Sequence, residues 1–265
     1  MWYKPINQSF PEVMDISSLT ILNNRIYVTG NSFATDESTG RAFASLLTYQ
    51  SGRVYSLNWE NLAQTTNVLG RFNTIIPNSN SSFYIGGKFT TLVSNSSNHI
   101  EANNIVYYDT LTDSFTNLKG GTNGEVVTGT LVSEKFTDTL YIAGSFSKAG
   151  TADATCIASW DDRFWSSVGG GLVLGPDSSI FGSPELQLSS YESLVFIGGS
   201  ISQLGLVPVN NIGVWNGTTW STLGDDSPFE DYRMSPFTIS QNGKLFVTAQ
   251  GLQDPVFEDI IINGI

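Results

Sequence analysis

A phrase of eight residues recurs along the chain and constrains its fold more than any other feature. It reads FYIGGKFT at 83–90, LYIAGSFS at 140–147 and VFIGGSIS at 195–202, and looser versions begin at Ile26 and Leu245. The five phrases lie 50–57 residues apart. A repeat of this length indicates that the chain contains several copies of one structural unit, and that the phrase occupies the same position in each copy.

Each repeat carries two further landmarks after the phrase. The first is an apolar segment that ends in an aromatic residue and a turn former, as in NNIVYYDT (103–110), TCIASWDD (155–162) and NNIGVWNG (210–217). The second is an aromatic residue followed three positions later by an aliphatic one, as in Trp59 and Leu62. One more apolar segment usually precedes the phrase. Their period-2 alternation predicts four short strands per repeat and an all-β chain.

Four-stranded units repeated at about 50 residues are typical of β-propeller blades of kelch length. We expect one propeller domain over 1–265 in which MWYKPI, at the spacing of a fourth strand, completes the C-terminal blade and closes the ring. Excision from a longer repeat array is the alternative. The expected five blades lie near 7–62, 63–118, 119–168, 169–223, and 224–265 with 1–6.

The repeated glycines and tryptophans are expected to serve the architecture. Glycine at a strand end lets backbones approach closely and permits positive φ, and aromatic side chains fill the space between neighbouring sheets. The residues assigned to this structural role are Gly86, Gly87, Gly144, Gly198, Gly199, Trp59, Trp160, Trp165, Trp215 and Trp220.

Composition argues against several classes of partner. The net charge is −12, with only 12 Lys and Arg residues in 265. Nucleic acids and anionic lipid surfaces recruit clustered basic residues, so we expect neither as a partner. No run of 18 apolar residues and no signal-peptide core is written, so any membrane attachment would come from segments outside this chain.

The residues needed for catalysis or metal binding are scarce. A single histidine, His99, is expected to be exposed in a polar loop, and a single cysteine, Cys156, to be a small buried strand residue. A copper site of the galactose-oxidase kind needs two histidines. Adjacent carboxylates such as Asp161–Asp162 are interpreted as solvated turn residues, and VGGGLVLG (168–175) as an inter-blade turn. We predict no catalytic residue, no metal and no cofactor.

Four Asn-x-Ser/Thr triplets are candidate N-glycosylation sites if the chain enters a eukaryotic secretory pathway. Their asparagines are Asn7, Asn80, Asn95 and Asn216.

The repeats from 83 to 224 resemble those of fungal cortical markers for cell polarity, the Rax-type bud-site-selection proteins, and the wider kelch and galactose-oxidase-like propellers. The phrase, the NNI…W strand and the W…LGGGL ending carry the resemblance. It implies a non-enzymatic ectodomain portion of a glycosylated plasma-membrane protein, with a protein partner at the cell surface or cortex. GDDSPFEDYR (224–233) is the first candidate binding patch.

Two other functions stay open on the sequence. One is a carbohydrate-binding or glycosidase-like propeller, which would place Trp and Asp residues at a channel mouth. The other is an intracellular kelch-type adaptor, against which the low charge and the four glycosylation triplets weigh.

Overall fold

The chain is all-β, as the sequence predicts. The computed structural model describes residues 14–32, 43–51, 57–65, 70–94, 99–133, 137–175, 185–223, 233–240, 243–250 and 255–261, and the regular structure within these ranges is strand and turn without helix. The chain divides into two compact units, Met1–Glu125 and Val126–Ile265.

The first unit contains two antiparallel sheets. The first sheet has the order β1-β2-β3-β4-β7-β8 and the second the order β10-β9-β6-β5. The strands are β1 (Met14–Leu22), β2 (Arg25–Ser32), β3 (Phe43–Ser51), β4 (Leu57–Thr65), β5 (Arg71–Ser79), β6 (Ser82–Lys88), β7 (Thr91–Ser94), β8 (His99–Glu101), β9 (Ile105–Asp109) and β10 (Ser114–Asn117).

An aromatic cluster forms the core of the first unit. Phe83 is fully buried between Tyr27, with ring centroids 4.9 Å apart, and Tyr108, at 5.2 Å. Phe72 and Phe89 make an edge-to-face contact in the same cluster, with centroids 5.2 Å apart. Because Tyr27 lies on β2 and Phe83 on β6, the second strands of successive repeats pack against each other. This contact between repeats buries side chains that a single sheet would leave exposed.

The second unit contains further antiparallel sheets, with the orders β11-β12-β15-β16, β13-β14, β17-β20-β21, β18-β19-β22-β23 and β24-β25-β26. The strands are β11 (Glu125–Ser133, which begins at the last residue of the first unit), β12 (Asp138–Ser145), β13 (Lys148–Ala149), β14 (Ala152–Asp153), β15 (Ile157–Trp160), β16 (Trp165–Ser167), β17 (Leu172–Leu174), β18 (Leu186–Tyr191), β19 (Leu194–Gly199), β20 (Ile201–Leu204), β21 (Val207–Pro208), β22 (Ile212–Trp215), β23 (Trp220–Thr222), β24 (Arg233–Ile239), β25 (Lys244–Gln250) and β26 (Pro255–Ile261).

Successive sheets are joined by the same hydrogen bond in both units. In the first unit, the Ser18 hydroxyl on β1 accepts the backbone N–H of Ile75 on β5 at 3.1 Å. In the second, the Thr128 hydroxyl on β11 accepts the N–H of Leu188 on β18 at 3.2 Å. A hydroxyl on the first strand of one repeat therefore caps a backbone donor on the first strand of the next, which fixes their relative register.

Candidate functional site

The hairpins that join the third and fourth strands of three repeats have the same turn. Asp109, Asp161 and Asn216 each follow the last aromatic residue of the third strand. In all three, the side-chain Oδ1 accepts the backbone N–H groups of the second and third residues after it, at 2.6–3.3 Å. Short polar side chains that bond their own backbone in this way stabilise turns. The aspartates and the asparagine predicted as turn formers therefore do form the turns.

The turn at Asp161 stabilises negative charge on the side-chain oxygen that accepts its N–H bonds. At Asp161 the N–H groups of Phe164 and then Arg163 are the main causes that lower the pKa of the carboxyl below its ordinary range. A carboxylate that accepts backbone N–H bonds is favoured over its protonated form. The side chain of Asp161 lies in solvent, so the adjacent carboxylates Asp161 and Asp162 are not arranged as a buried acid–base pair.

Two of the four glycosylation candidates lie on exposed turns. Asn80 is exposed in the turn between β5 and β6, and Asn216 is exposed at the tip of the β22–β23 hairpin. A Cβ built on Gly217, the next residue, would have no neighbour within 4 Å, so the space around this tip is open. Asn7 and Asn95 lie outside the described residues.

The tryptophans of the third and fourth repeats pair across their hairpins. Trp160 faces Trp165 with ring centroids 5.1 Å apart, and Trp215 faces Trp220 at the same distance. All four side chains are 6–8% exposed. They are therefore packing residues and present no free ring face to a sugar. Trp59 lies on β4 opposite Tyr49 in the register.

The glycines of the repeated phrase lie at or near the end of the second strand in three repeats. Gly86 and Gly87 lie on β6, Gly144 on β12, and Gly198 and Gly199 on β19. The last glycine of each phrase donates its N–H to a carbonyl before the third strand: Gly87 to Asn104, Gly144 to Cys156 and Gly199 to Asn211, at 2.9–3.0 Å.

Close backbone approach explains the glycine at two of these places. A Cβ on Gly87 would overlap the carbonyl oxygen of Arg71, and a Cβ on Gly199 would overlap that of Glu185. Gly199 also has φ +142°. The structural role predicted for these glycines therefore has a steric basis.

The residues that accept these bonds share an unusual backbone. Asn104, Cys156 and Asn211 have φ of 64°, 62° and 66°. At Asn104 the buried side chain also accepts the N–H of Phe89 at 3.1 Å and donates to the carbonyl of Thr122 at 2.8 Å. The sequence signal for this position is the Asn pair before the third strand in two repeats, at 103–104 and 210–211.

The prediction for Cys156 is wrong. It is half-buried and lies just before β15 in a left-handed conformation, instead of inside a strand. Burial raises the pKa of its thiol, so the thiolate is disfavoured. His99 is exposed, as predicted, but it lies on strand β8 and not in a loop.

A buried carboxylate was not predicted. Glu125, 7% exposed, accepts the guanidinium of Arg71 at 3.0 Å and the side-chain amide of Asn73 at 2.9 Å. This network joins β5 to the start of β11. Arg71, Asn73 and Glu125 all belong to the first unit, and their network serves its packing.

The other residues that the sequence singled out form no cluster of reactive side chains in the part of the chain that the structure describes. Among the described residues, no three His, Cys, Asp or Glu side chains are grouped so that they could hold a metal ion. The segment 168–175 contains the turn between β16 and β17, in which the three glycines 169–171 have positive φ. Most of the patch at 224–233 lies outside the described residues.

Within the described ranges, no helix has the length and apolarity needed to cross a membrane.

Comparison with known proteins defines the fold more than the function. No protein-family model matches the chain, and no curated protein does. In contrast, 231 chains of solved structures match. One, titled "Structure of YjhT", is 12% identical, with a TM-score of 0.50 over 91% of this chain and 75% of that one. At this identity the likeness concerns the fold alone. The chain is an all-β protein built from repeated antiparallel sheets.

Proposed function

We propose that this chain is a non-enzymatic interaction scaffold: a β-propeller ectodomain portion of a glycosylated fungal surface protein that marks sites of polarised growth. A protein partner at the cell surface or cortex would bind it. The family and the location come from the resemblance of the repeats. The role of scaffold comes from how the described residues are used.

The observation that carries the proposal is the location of Asn80 and Asn216. Both described glycosylation candidates are exposed on hairpin turns, and a Cβ on Gly217, next to Asn216, would have no neighbour within 4 Å. In contrast, the paired tryptophans of the third and fourth repeats, Trp160, Trp165, Trp215 and Trp220, are buried. Buried aromatic side chains that pack the sheets, together with exposed polar turns, suit a rigid scaffold whose loops bind a partner.

The experiment is intact mass measurement of the protein secreted from a eukaryotic host, before and after endoglycosidase. Peptide mapping would assign any glycan. Variants Thr218→Ala and Ser82→Ala remove the triplets of Asn216 and Asn80 while leaving the asparagines in place. We expect each to lose one glycan. A folded product without glycan would contradict the surface role and favour the intracellular adaptor.

The proposal includes the finer fold: a five-bladed ring that residues 1–6 close by completing the last blade. The open face of β1 supports it. Leu19 and Ile21 are 55% and 64% exposed, whereas Ile75, which takes the place of Leu19 on β5, is buried. A further sheet on this face would cover them. Deleting residues 1–6 should lower the melting temperature clearly, and an unchanged melting temperature would contradict closure.

A further inference from the structure

Asn216 and Gly217 form an exposed Asn-Gly pair whose surroundings favour a reaction that needs no other protein. From the geometry of this hairpin tip, we propose that Asn216 is a self-modification site, at which the chain converts its own asparagine to aspartate or isoaspartate through a succinimide. The proposal does not depend on the proposed surface function.

The atoms that react are adjacent in the chain. The backbone nitrogen of Gly217, after losing its proton to hydroxide, bonds to Cγ of Asn216. The Cγ–Nδ2 bond breaks, and the nitrogen takes a proton from water and leaves as ammonia, which regenerates the hydroxide. Water then opens the five-membered ring at one of its two carbonyls, which gives aspartate or isoaspartate. No oxidant or reductant is needed.

Three features of the turn favour the first step. Both residues are exposed, so hydroxide and water reach them. Gly217 has φ +90° and, as a glycine, carries no side chain that could obstruct the approach of its nitrogen. The Oδ1 of Asn216 already accepts the N–H groups of Thr218 at 3.0 Å and Thr219 at 2.8 Å.

The two donors matter because charge develops on that oxygen. When the nitrogen adds to Cγ, Oδ1 becomes an oxyanion, and preorganised N–H groups stabilise such an intermediate. The Thr219 hydroxyl is a further donor, at 3.4 Å. The corresponding pair of donors in the third repeat favours the anionic form of Asp161, which lowers the pKa of that carboxyl.

Aspartate already occupies the position of Asn216 in two other repeats. Asp109 and Asp161 hold the corresponding turns with a carboxylate. Conversion of Asn216 to aspartate therefore keeps the turn and adds one negative charge, whereas isoaspartate lengthens the backbone and disrupts it. If the proposed glycan is present, it occupies Nδ2, the leaving nitrogen, and protects the site. That last step alone rests on the proposed function.

The test uses the full chain made in a bacterial host, without glycans, and aged in mildly alkaline buffer. Peptide mapping with isoaspartate detection would follow Asn216 and, as an internal reference, Asn123, which precedes Gly124 and is also exposed. We expect several-fold more conversion at Asn216 than at Asn123. We also expect the native chain to convert Asn216 at least as fast as the urea-unfolded chain.

Two variants separate the causes. Gly217→Ala hinders the attacking nitrogen and should slow conversion several-fold. Thr218→Ala abolishes the glycosylation triplet but keeps both backbone donors, so conversion should persist. Equal conversion at Asn123 and Asn216, slower conversion in the native than in the unfolded chain, or an unaffected Gly217→Ala variant would each overturn the proposal. None of these results bears on whether the protein is glycosylated in a eukaryotic host.

Discussion

Cys156 holds in the third repeat the place that Asn104 holds in the second, and both have the left-handed backbone conformation, with φ of 62° and 64°. The carbonyl of each accepts the N–H of a strand glycine, Gly144 for Cys156 and Gly87 for Asn104. The repeat therefore fixes the backbone at this position and leaves the side chain to vary. Asparagine tolerates this conformation, whereas cysteine is strained in it.

We predict that Cys156→Asn stabilises the protein. The left-handed conformation costs most residues about 1–2 kcal/mol, and asparagine avoids part of that cost. Urea unfolding would measure the gain. Cys156→Ser is the matched control, because it changes polarity without relieving the backbone, and Cys156→Val should destabilise. If the Asn variant were no more stable than the Ser variant, backbone strain at Cys156 would not be the cause.

Replacing Asn104 should be costly. Asn104→Ala leaves the buried N–H of Phe89 and the carbonyl of Thr122 without the side chain that pairs with them. An unsatisfied buried polar group costs about 1–3 kcal/mol. Asn103→Ala is the control, because Asn103 is exposed and its side chain donates to the carbonyl of Gly120 at the surface. Thermal unfolding that ranks the two variants equally would contradict a structural role for the Asn104 side chain.

Much of the fold could be predicted because its signals are local. Alternating apolar residues mark the strands, and the Asp or Asn after an aromatic residue marks the turn, as at Asp161 and Asn216. The pairing of Trp160 with Trp165 follows from the short hairpin between them. These features need no knowledge of distant contacts.

The rest could not be predicted because its causes are distant in sequence or lie in the backbone. Arg71 and Glu125 are 54 residues apart, and nothing in either segment marks the pairing. The positive φ of Cys156 is imposed by its repeat and not by its own preference. Glycosylation, partner and location depend on events outside the chain and stay predictions.

Two glycines should respond differently to the same substitution. Gly199→Ala places a Cβ against the carbonyl oxygen of Glu185 at φ +142°. Strain of this kind costs about 1–3 kcal/mol, and the overlap adds to it. Gly217→Ala also has positive φ, but its Cβ meets open space. Its loss in free energy of unfolding should therefore be about 1 kcal/mol. Denaturant midpoints would compare them, and equal losses would show that close approach at Gly199 is unimportant.

Removing the buried carboxylate should destabilise the first unit. Glu125→Ala removes the carboxylate that accepts hydrogen bonds from Arg71 and Asn73. Breaking a buried pair costs about 3–5 kcal/mol, and we expect less here because the Arg71 side chain is 36% exposed. Lys148→Ala breaks the exposed pair with Asp153 and should have no measurable effect. Chemical denaturation would test both variants. A Glu125→Ala variant with the wild-type free energy of unfolding would show that the network does not stabilise the fold.

The turn at Asp161 predicts a stability difference that depends on pH. Backbone N–H bonds from Phe164 and Arg163 lower the pKa of this carboxyl in the folded chain. A lowered folded-state pKa contributes stability above the unfolded-state value, and this contribution is lost as the pH falls through the folded-state value. Asp161→Asn keeps an oxygen acceptor, as Asn216 does in the next repeat, but removes the titration.

The wild type should therefore exceed the Asp161→Asn variant in melting temperature near neutral pH by a small amount, because the side chain is exposed and solvent screens the interaction. The difference should shrink as the pH falls through the acidic range in which carboxyls protonate. Asp161→Ala, which removes the acceptor altogether, should be the least stable variant near neutral pH. A difference between wild type and Asp161→Asn that stays constant into that acidic range would mean that the turn does not stabilise the carboxylate.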